Sequence, residues 1–572
     1  MGPKRRPGRP LSPLSWMERF VYLIVTVASV IFICFSVYRD SLKYDGILNL
    51  YDFAPGWGWL GREQDISNFE WHFWFLKFMA ISPWYLGHIA LGKIMEQHSL
   101  TSKKYVFLVY GLGALLKLVG WQTVGLCVAH STIMYIISQI GLSVLVWITS
   151  LVLLSTLNFE ICITFMKGLL EDDEEETWYY LLMFTLALSN IRATSFCLEA
   201  CWNRKVVGEE VAGHEKEETI CPAEDLYHEI PKHSEHQGCT TDQPKFQSSI
   251  GASVPRSSRV AASSLSQPIA YSYTDMVFYV MYLPLFFTGP ILTYDLFKAQ
   301  INQSQASEYK PRVVYLSLHL LRFLFWALFN EMILHFLYFN AIQNSLRVLK
   351  QVPLFTLAGL GFCHGQFFML KYHVMFGYPG TVAKFDGLQP PDGPKCISYI
   401  YLYSDMWKYF DRGLYSFLKR YIYIPCGGSK EGFHRQVIGS LLCFMYIFYW
   451  HGAEYYILLF ILLNYVGISL ERIGSLLCTI PTFKHLETSV LSVAMVQRVH
   501  AFFSIPIFLM SCFSVFCFFG GKEVGYLFFS RLIINGWWGS WAVLVVLVYC
   551  AIQNAIETAR WLEQCATHVK AS

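Results

Sequence analysis

The sequence predicts an all-α, polytopic membrane protein of about 10–12 transmembrane helices plus re-entrant segments, and three observations predict it. Of 572 residues, 54% are hydrophobic and 17% aromatic against 15% charged, with a mean hydropathy of +0.38; a soluble domain is far more polar. The apolar residues come in runs near the ~20 residues that a crossing helix needs. Basic residues gather at the ends of those runs, as membrane-flanking charge does. The net charge of +3 is too small for a nucleic-acid footprint.

The elements follow in order. Residues 1–19 form a basic cytosolic N-terminus, with Lys4, Arg5, Arg6, Arg9 and Arg19 ahead of the apolar stretch Phe20 to Tyr38. That stretch is long for a signal-peptide core and lacks a small-residue cleavage site, so it reads as an uncleaved first span. Pro3 beside Gly2, and Arg6 where Ser or Thr is required, exclude N-myristoylation. Residues 20–202 hold the N-terminal transmembrane helices, with candidate spans at 20–38, 70–92, 105–121, 123–140, 142–158 and 178–198. Lys93, Lys103 and Lys104, between the second and third, agree with a cytosolic N-terminus. The acidic run 171–176 reads as a solvated turn.

Residues 203–267, rich in Ser, Glu, His and Pro, read as a disordered polar loop. Cys221, His228, His233, His236 and Cys239 lie in it, but their spacing matches no compact zinc module. The catalytic core spans 268–560, with candidate spans at 271–293, 313–338, 354–376, 437–450, 455–470, 500–520 and 537–556; a tail covers 561–572. The sixteen cysteines fall mostly inside apolar segments as small hydrophobes, which argues against a disulfide framework. Between Gly377 and Gly428, five prolines interrupt an aromatic-rich stretch that is neither a clean span nor a polar loop. Broken backbone at membrane depth is tolerated where it is buried in protein or lines a cavity, so the chemistry belongs there.

Two ionisable residues mark the site. His451, in Phe448-Tyr449-Trp450-His451-Gly452, is an imidazole inside an apolar stretch, and such a residue marks function by default. Its ordinary pKa suits acid–base work near neutrality, and Gly452 leaves room for close approach. A ring that merely donates to a carbonyl in a helix bundle is the structural alternative. Asp411 stands forty positions upstream. If Trp407 to Tyr421 is one helix, stepping about 100° per residue places Asp411 on an apolar arc with Trp407, Phe410, Leu414, Phe417 and Tyr421. Lys408, Arg412 and Lys419 gather on another side, as interfacial anchors or as contacts to an anionic ligand. The alternative for Asp411 is a structural ion pair.

The combination of Asp411 and His451 with Arg420-Tyr421-Ile422-Tyr423-Ile424-Pro425, Gly427-Gly428-Ser429 and Tyr449-Trp450-His451-Gly452 resembles the membrane-bound O-acyltransferase (MBOAT) superfamily, and within it the Hedgehog acyltransferases. The resemblance extends to Asn68-Phe69-Glu70-Trp71, Tyr282-Leu283-Pro284, Thr288-Gly289-Pro290-Ile291-Leu292, Asp386-Gly387-Leu388, Leu463-Asn464-Tyr465-Val466-Gly467 and Gly520-Gly521-Lys522-Glu523-Val524-Gly525. It implies an MBOAT-like core with a tunnel, in a multi-pass protein of the endoplasmic reticulum membrane, with the Golgi as the alternative. It implies transfer of palmitate from palmitoyl-CoA, as co-substrate, to the N-terminal cysteine of Hedgehog signalling proteins, forming an amide. His451 is carried over as the catalytic histidine and Asp411 as the acid working with it. Trp407, Lys408, Arg412 and Asn464 are carried over as substrate-binding residues, the cations toward the CoA phosphates.

Cys396, fifteen positions before Asp411, matches the place where the resemblance implies a cysteine ligand to the iron of haem b. The residues themselves read as an interfacial thiol, inert or S-palmitoylated. Partners implied are a secreted Hedgehog-type protein, palmitoyl-CoA and membrane lipids, without nucleic acid. The rival readings are an acyltransferase of the same fold acting on a lipid hydroxyl or another peptide, and a non-catalytic relative. Transport predicts charges repeated along several spans, which the sequence lacks.

Overall fold

Apolar runs this long must satisfy their own backbone hydrogen bonds inside lipid, and they do so as helices packed along one another. The structure, a computed structural model, describes residues 13–98, 100–170, 175–218, 271–301 and 309–569. Among them the only strands are Phe53–Ala54 and Gln64–Asp65, a short antiparallel pair. Seven helices are long and apolar enough to cross a membrane, or eight if the bent pair Ser143–Ser155 and Glu160–Gly168 (68° apart) counts as one span. This is fewer than ten to twelve. The expected spans at 70–92, 354–376 and 437–450 are helical, as Phe69–His98, Leu354–Phe385 and Phe433–Trp450. The first two turn polar residues inward, His88, Thr356, His364 and Lys371 among them, which lowers their hydropathy without exposing charge.

The first helix, Trp16–Tyr44, starts on Ser15, whose hydroxyl accepts from the Glu18 N–H. Glu18 in turn takes a two-pronged bond from Arg498 (2.9 and 2.7 Å), which fixes this helix to Val493–Phe529. The expected pair 105–121 and 123–140 forms one element, Leu100–Ser138, broken at Gly120. Glu175–Glu218 is the central post, its apolar window 89% buried.

That helix also corrects the loop boundary. Residues 203–218 continue it, because Lys, Glu and Val continue a helix readily and Arg204 reaches Ser138 O and Gln139 Oε1 at 2.7 Å each. Cys221, His228, His233, His236 and Cys239 lie outside the described residues, as do 1–12 and 171–174. The C-terminal helix Trp538–Val569 likewise runs on through most of the expected tail.

The expected span 271–293 is not one helix. Tyr273–Val280, with a Ser272/Asp275 capping box, is followed by the single turn Leu283–Phe286, and Pro284, Gly289 and Pro290 stop further winding. The freed carbonyls need donors at membrane depth. Buried Arg192 of the central helix supplies them, donating to Val280 O and Phe286 O at 3.3 Å and also to Leu285 O. Pro379 inside Leu354–Phe385 raises the same problem, since it leaves Met375 O without its helical donor. Thr288 Oγ1 fills the gap at 3.0 Å while accepting from Trp74 Nε1 at 3.0 Å.

Candidate active site

The Asp411 segment does not form the single helix expected from Trp407 to Tyr421. Tyr403–Phe410 ends at Asp411, whose backbone is extended (φ −119, ψ 91), and Arg412–Leu418 begins after it. The reason is local: a short carboxylate competes for backbone donors, and Asp411 Oδ1 accepts the Leu414 N–H at 2.8 Å as the cap of the new helix. The arc shared with Trp407 is therefore lost. Gly413 makes the break possible, because a Cβ there would stand 2.6 Å from Ile291 O and 2.7 Å from Ile291 N. The turn Lys419–Tyr423 then docks on the central post. Arg420 Nε (2.6 Å) and the Tyr421 hydroxyl (2.8 Å) both donate to Glu199, and Arg420 also pairs with Asp295 at 3.2 Å.

His451 ends the Phe433–Trp450 helix, its N–H bonded to Ile447 O at 3.0 Å. Gly452 (φ 98) and Ala453 (φ 55) then turn the chain through left-handed conformations, and only the absence of a side chain makes the first of these easy. Asn158, in the bend of the broken span, faces Gly452. Trp450 Nε1 reaches Ala187 O at 3.3 Å, and Tyr449 bonds Ser155 through its hydroxyl. The imidazole itself makes no hydrogen bond among the described residues. Its neighbours are rings, Trp450 at 4.8 Å and Phe518 at 5.5 Å, both edge-on.

His451 and Asp411 are both half-buried. A wall of rings runs from Phe410, next to Asp411 in the chain, to Phe518, which meets the His451 ring: Phe410 stacks on Phe368 (5.0 Å) and meets Tyr372 (5.7 Å), while Phe518 meets Phe368 (6.2 Å) and Phe460 (4.8 Å). A polar link crosses this wall. Glu70 accepts from Lys371 at 2.5 Å and from the Tyr372 hydroxyl at 2.7 Å. Glu70 also lines an aromatic pocket, together with Phe73, Trp74, Phe78, Tyr85, Tyr180 and Tyr378.

The remaining expected residues fall in two groups. Trp407 and Asn464 meet directly: the indole Nε1 donates to Asn464 Oδ1 at 2.9 Å, and Asn464 Nδ2 donates to Phe460 O (2.7 Å) and Ser514 (3.2 Å). Asn464, buried, thus spends its amide on the protein and fixes the Trp407 ring, which also meets Phe444 edge-on at 4.9 Å. Lys408 and Arg412 gather with Lys395 round the Tyr409 ring, at 4.9, 5.7 and 3.4 Å. Arg412 pairs with Asp392 at 3.3 Å while its Nε is buried without a partner. Lys419 lies apart, over Tyr415.

Cys396 is half-buried at the start of the turn Ile397–Tyr399. An axial thiolate needs a porphyrin-sized slot beside it. Cys396 lines neither the aromatic cavity nor the open pocket of about 980 Å³ round Glu454 and Lys522. No step is routed through a haem.

The sequence reading passed over Lys371 and Tyr372, which lie inside an apparently uniform apolar run. A single lysine at membrane depth was the available signal.

Residues 132–515 match the family described as MBOAT, membrane-bound O-acyltransferase. The chain is 29% identical to the protein-cysteine N-palmitoyltransferase HHAT of Mus musculus, over 86% of this chain and 87% of that protein. It is 26% identical to the protein-cysteine N-palmitoyltransferase Rasp of Drosophila melanogaster, over 96% of both chains. A third relative, the HHAT-like protein of Mus musculus, is 25% identical over 89% and 88%.

Proposed function

Because the chain belongs to the membrane-bound O-acyltransferase family, we propose that it is a protein-cysteine N-palmitoyltransferase, moving palmitate from palmitoyl-CoA to the α-amine of an N-terminal cysteine on a Hedgehog-type secreted protein. The membrane in question is that of the endoplasmic reticulum. The observation that supports the reading is the series of rings from Phe410, beside Asp411, through Phe368 to Phe518, which meets the His451 ring, with Glu70 of the aromatic pocket hydrogen-bonded to Tyr372 in the same series.

In this reading the acyl chain lies among the cavity aromatics, and the CoA phosphates meet Lys395, Lys408 and Arg412 round Tyr409. The thioester carbon then comes between Asp411 and His451. The amine attacks that carbon; the C–N bond forms, the C–S bond breaks and CoA departs as its thiolate. His451 takes the proton that the nitrogen sheds and returns it to the leaving sulfur. No hydrogen bond joins Asp411 to the imidazole, which supports a role for the acid at the incoming amine, not as an orienter of the ring. Its Oδ1, fixed by the Leu414 N–H, aims the carboxylate without adjustment. The aromatic wall keeps water away from the thioester.

The test is the chemistry of the product. A labelled palmitate transferred to a peptide beginning with cysteine must survive neutral hydroxylamine, as an amide does. Release by neutral hydroxylamine marks a thioester and release by alkaline hydroxylamine an ester, and either overturns the reading, while transfer only to lipid hydroxyls establishes the rival acyltransferase in its place.

A further inference from the structure

Away from this space, three metal-ligating groups converge where the Tyr455–Leu477 helix turns over into Val493–Phe529. Cys478 stands at the end of the first helix, its N–H on Gly474 O at 3.1 Å. Glu487 comes from the wide turn Leu486–Val490, and His500 from the start of the second helix. One ligand atom of each lies within 4.8 Å of the others, and no other trio of this kind occurs among the described residues. His500 Nε2 and Glu487 Oε1 are 2.6 Å apart, and the Cys478 sulfur lies within 4.8 Å of both ligand atoms. The loop that carries them is ordered by its own bonds: Lys484 N to Ile480 O (2.9 Å), Thr488 Oγ1 to Lys484 O (2.8 Å) and Leu491 N to Leu486 O (2.9 Å).

We propose that Cys478, Glu487 and His500 bind one zinc ion, with water in the fourth position. Thiolate, imidazole and carboxylate are the donors zinc takes, at about 2.3, 2.0–2.1 and 2.0–2.2 Å respectively. Donors at those distances from a tetrahedral ion stand roughly 3.3–3.6 Å apart. The close His500–Glu487 pair must open and the Cys478 sulfur close in by about 1 Å, which side-chain rotation of Glu487 and His500 supplies. On binding, the thiol gives its proton to solvent and the ion replaces the internal hydrogen bonds; nothing is oxidised or reduced. The ion clips together two helices that jointly frame the site, since one carries Asn464 and the other its partner Ser514 as well as Phe518. Neither the acyl donor nor the acceptor takes part.

The experiment uses the full chain in detergent, stripped with a chelator and titrated with zinc alone or with cobalt(II) alone. Expected are one ion retained per chain after gel filtration, a thiolate-to-cobalt charge-transfer band, and a metal-dependent rise in Tm. Cys478→Ser abolishes the band, and Cys478→Ser and His500→Gln each weaken zinc binding by at least about tenfold, the lower end of what an outer-shell partner is worth. Cys565→Ser, at an exposed thiol away from the trio, leaves all three readings unchanged. Gel filtration and metal-free Tm values matching the wild type establish that the variants fold. No retained ion in the wild type, or a band that survives Cys478→Ser, overturns the proposal.

Discussion

Trp407 gives its indole N–H to the side-chain oxygen of Asn464 across 2.9 Å, which ties the Tyr403–Phe410 helix to Tyr455–Leu477. Asn464 is buried and hydrogen-bonded through both its oxygen and its nitrogen, so removing it leaves the Trp407 indole without its partner, while Ser514 keeps its bond to Ser511 O. Asn464→Leu is expected to cost about 1–3 kcal/mol in thermal unfolding and to lower kcat as the indole loosens. Trp407→Phe keeps the apolar wall but loses the donor, and is expected to show a milder form of the same defect.

Asp411 has two separable roles, a helix cap and a carboxylate. Asn caps as well as Asp does, so Asp411→Asn is expected to keep Tm near the wild type while activity falls by at least about tenfold. Asp411→Ala loses both, with an added stability cost of about 0.5–2 kcal/mol. Unfolding curves read beside initial rates distinguish the two; full activity in the Asn variant removes the carboxylate from the chemistry.

Gly413 lets the Asp411 break lie against Ile291. The added methyl of Gly413→Ala meets backbone 2.6 Å away, which no rotamer relieves. A destabilisation of about 1–3 kcal/mol is expected from such overpacking, with loss of activity as Asp411 moves. A Tm equal to the wild type contradicts the contact.

Thr288 bridges the indole of Trp74 and the carbonyl that Pro379 frees. Thr288→Val keeps the volume and removes the hydroxyl, so both groups are left unpaired beside the aromatic cavity. The expected cost is about 1–3 kcal/mol, read as a lower Tm in detergent.

The cations round Tyr409 carry a prediction about the donor. Arg412→Gln removes a charge whose Nε lacks a partner within the protein. Losing one charge-assisted bond of about 1.5–3 kcal/mol raises KM for palmitoyl-CoA about 10- to 100-fold. KM for a palmitoyl thioester that lacks the nucleotide phosphates stays unchanged.

How much of this was legible in the sequence depended on whether the cause was local. Composition and run length were enough for a helical membrane protein, because lipid permits few alternatives. His451 and Asp411 stood out as ionisable groups in apolar surroundings. The helix break at Asp411 did not, since aromatic residues on either side continue the helical period and only the competing cap, with Gly413 against Ile291, interrupts it. The contacts of Arg192 with the 280–286 carbonyls and of Thr288 with Met375 join segments about 90 positions apart. No periodicity encodes them. The same holds for Glu70 on Tyr372, which connects the first turn of one helix to the middle of another.

The central claim is that His451 moves the proton of a cysteine α-amine. The most direct measurement is the rate of palmitate transfer from palmitoyl-CoA to a peptide beginning with cysteine, by wild type and His451→Ala, beside the same peptide with its α-amine acetylated. Wild type is predicted to label only the free amine, and His451→Ala to lose about 10²–10⁴-fold in rate while folding normally. Wild-type rates in His451→Ala, or equal labelling of the two peptides, would contradict the account.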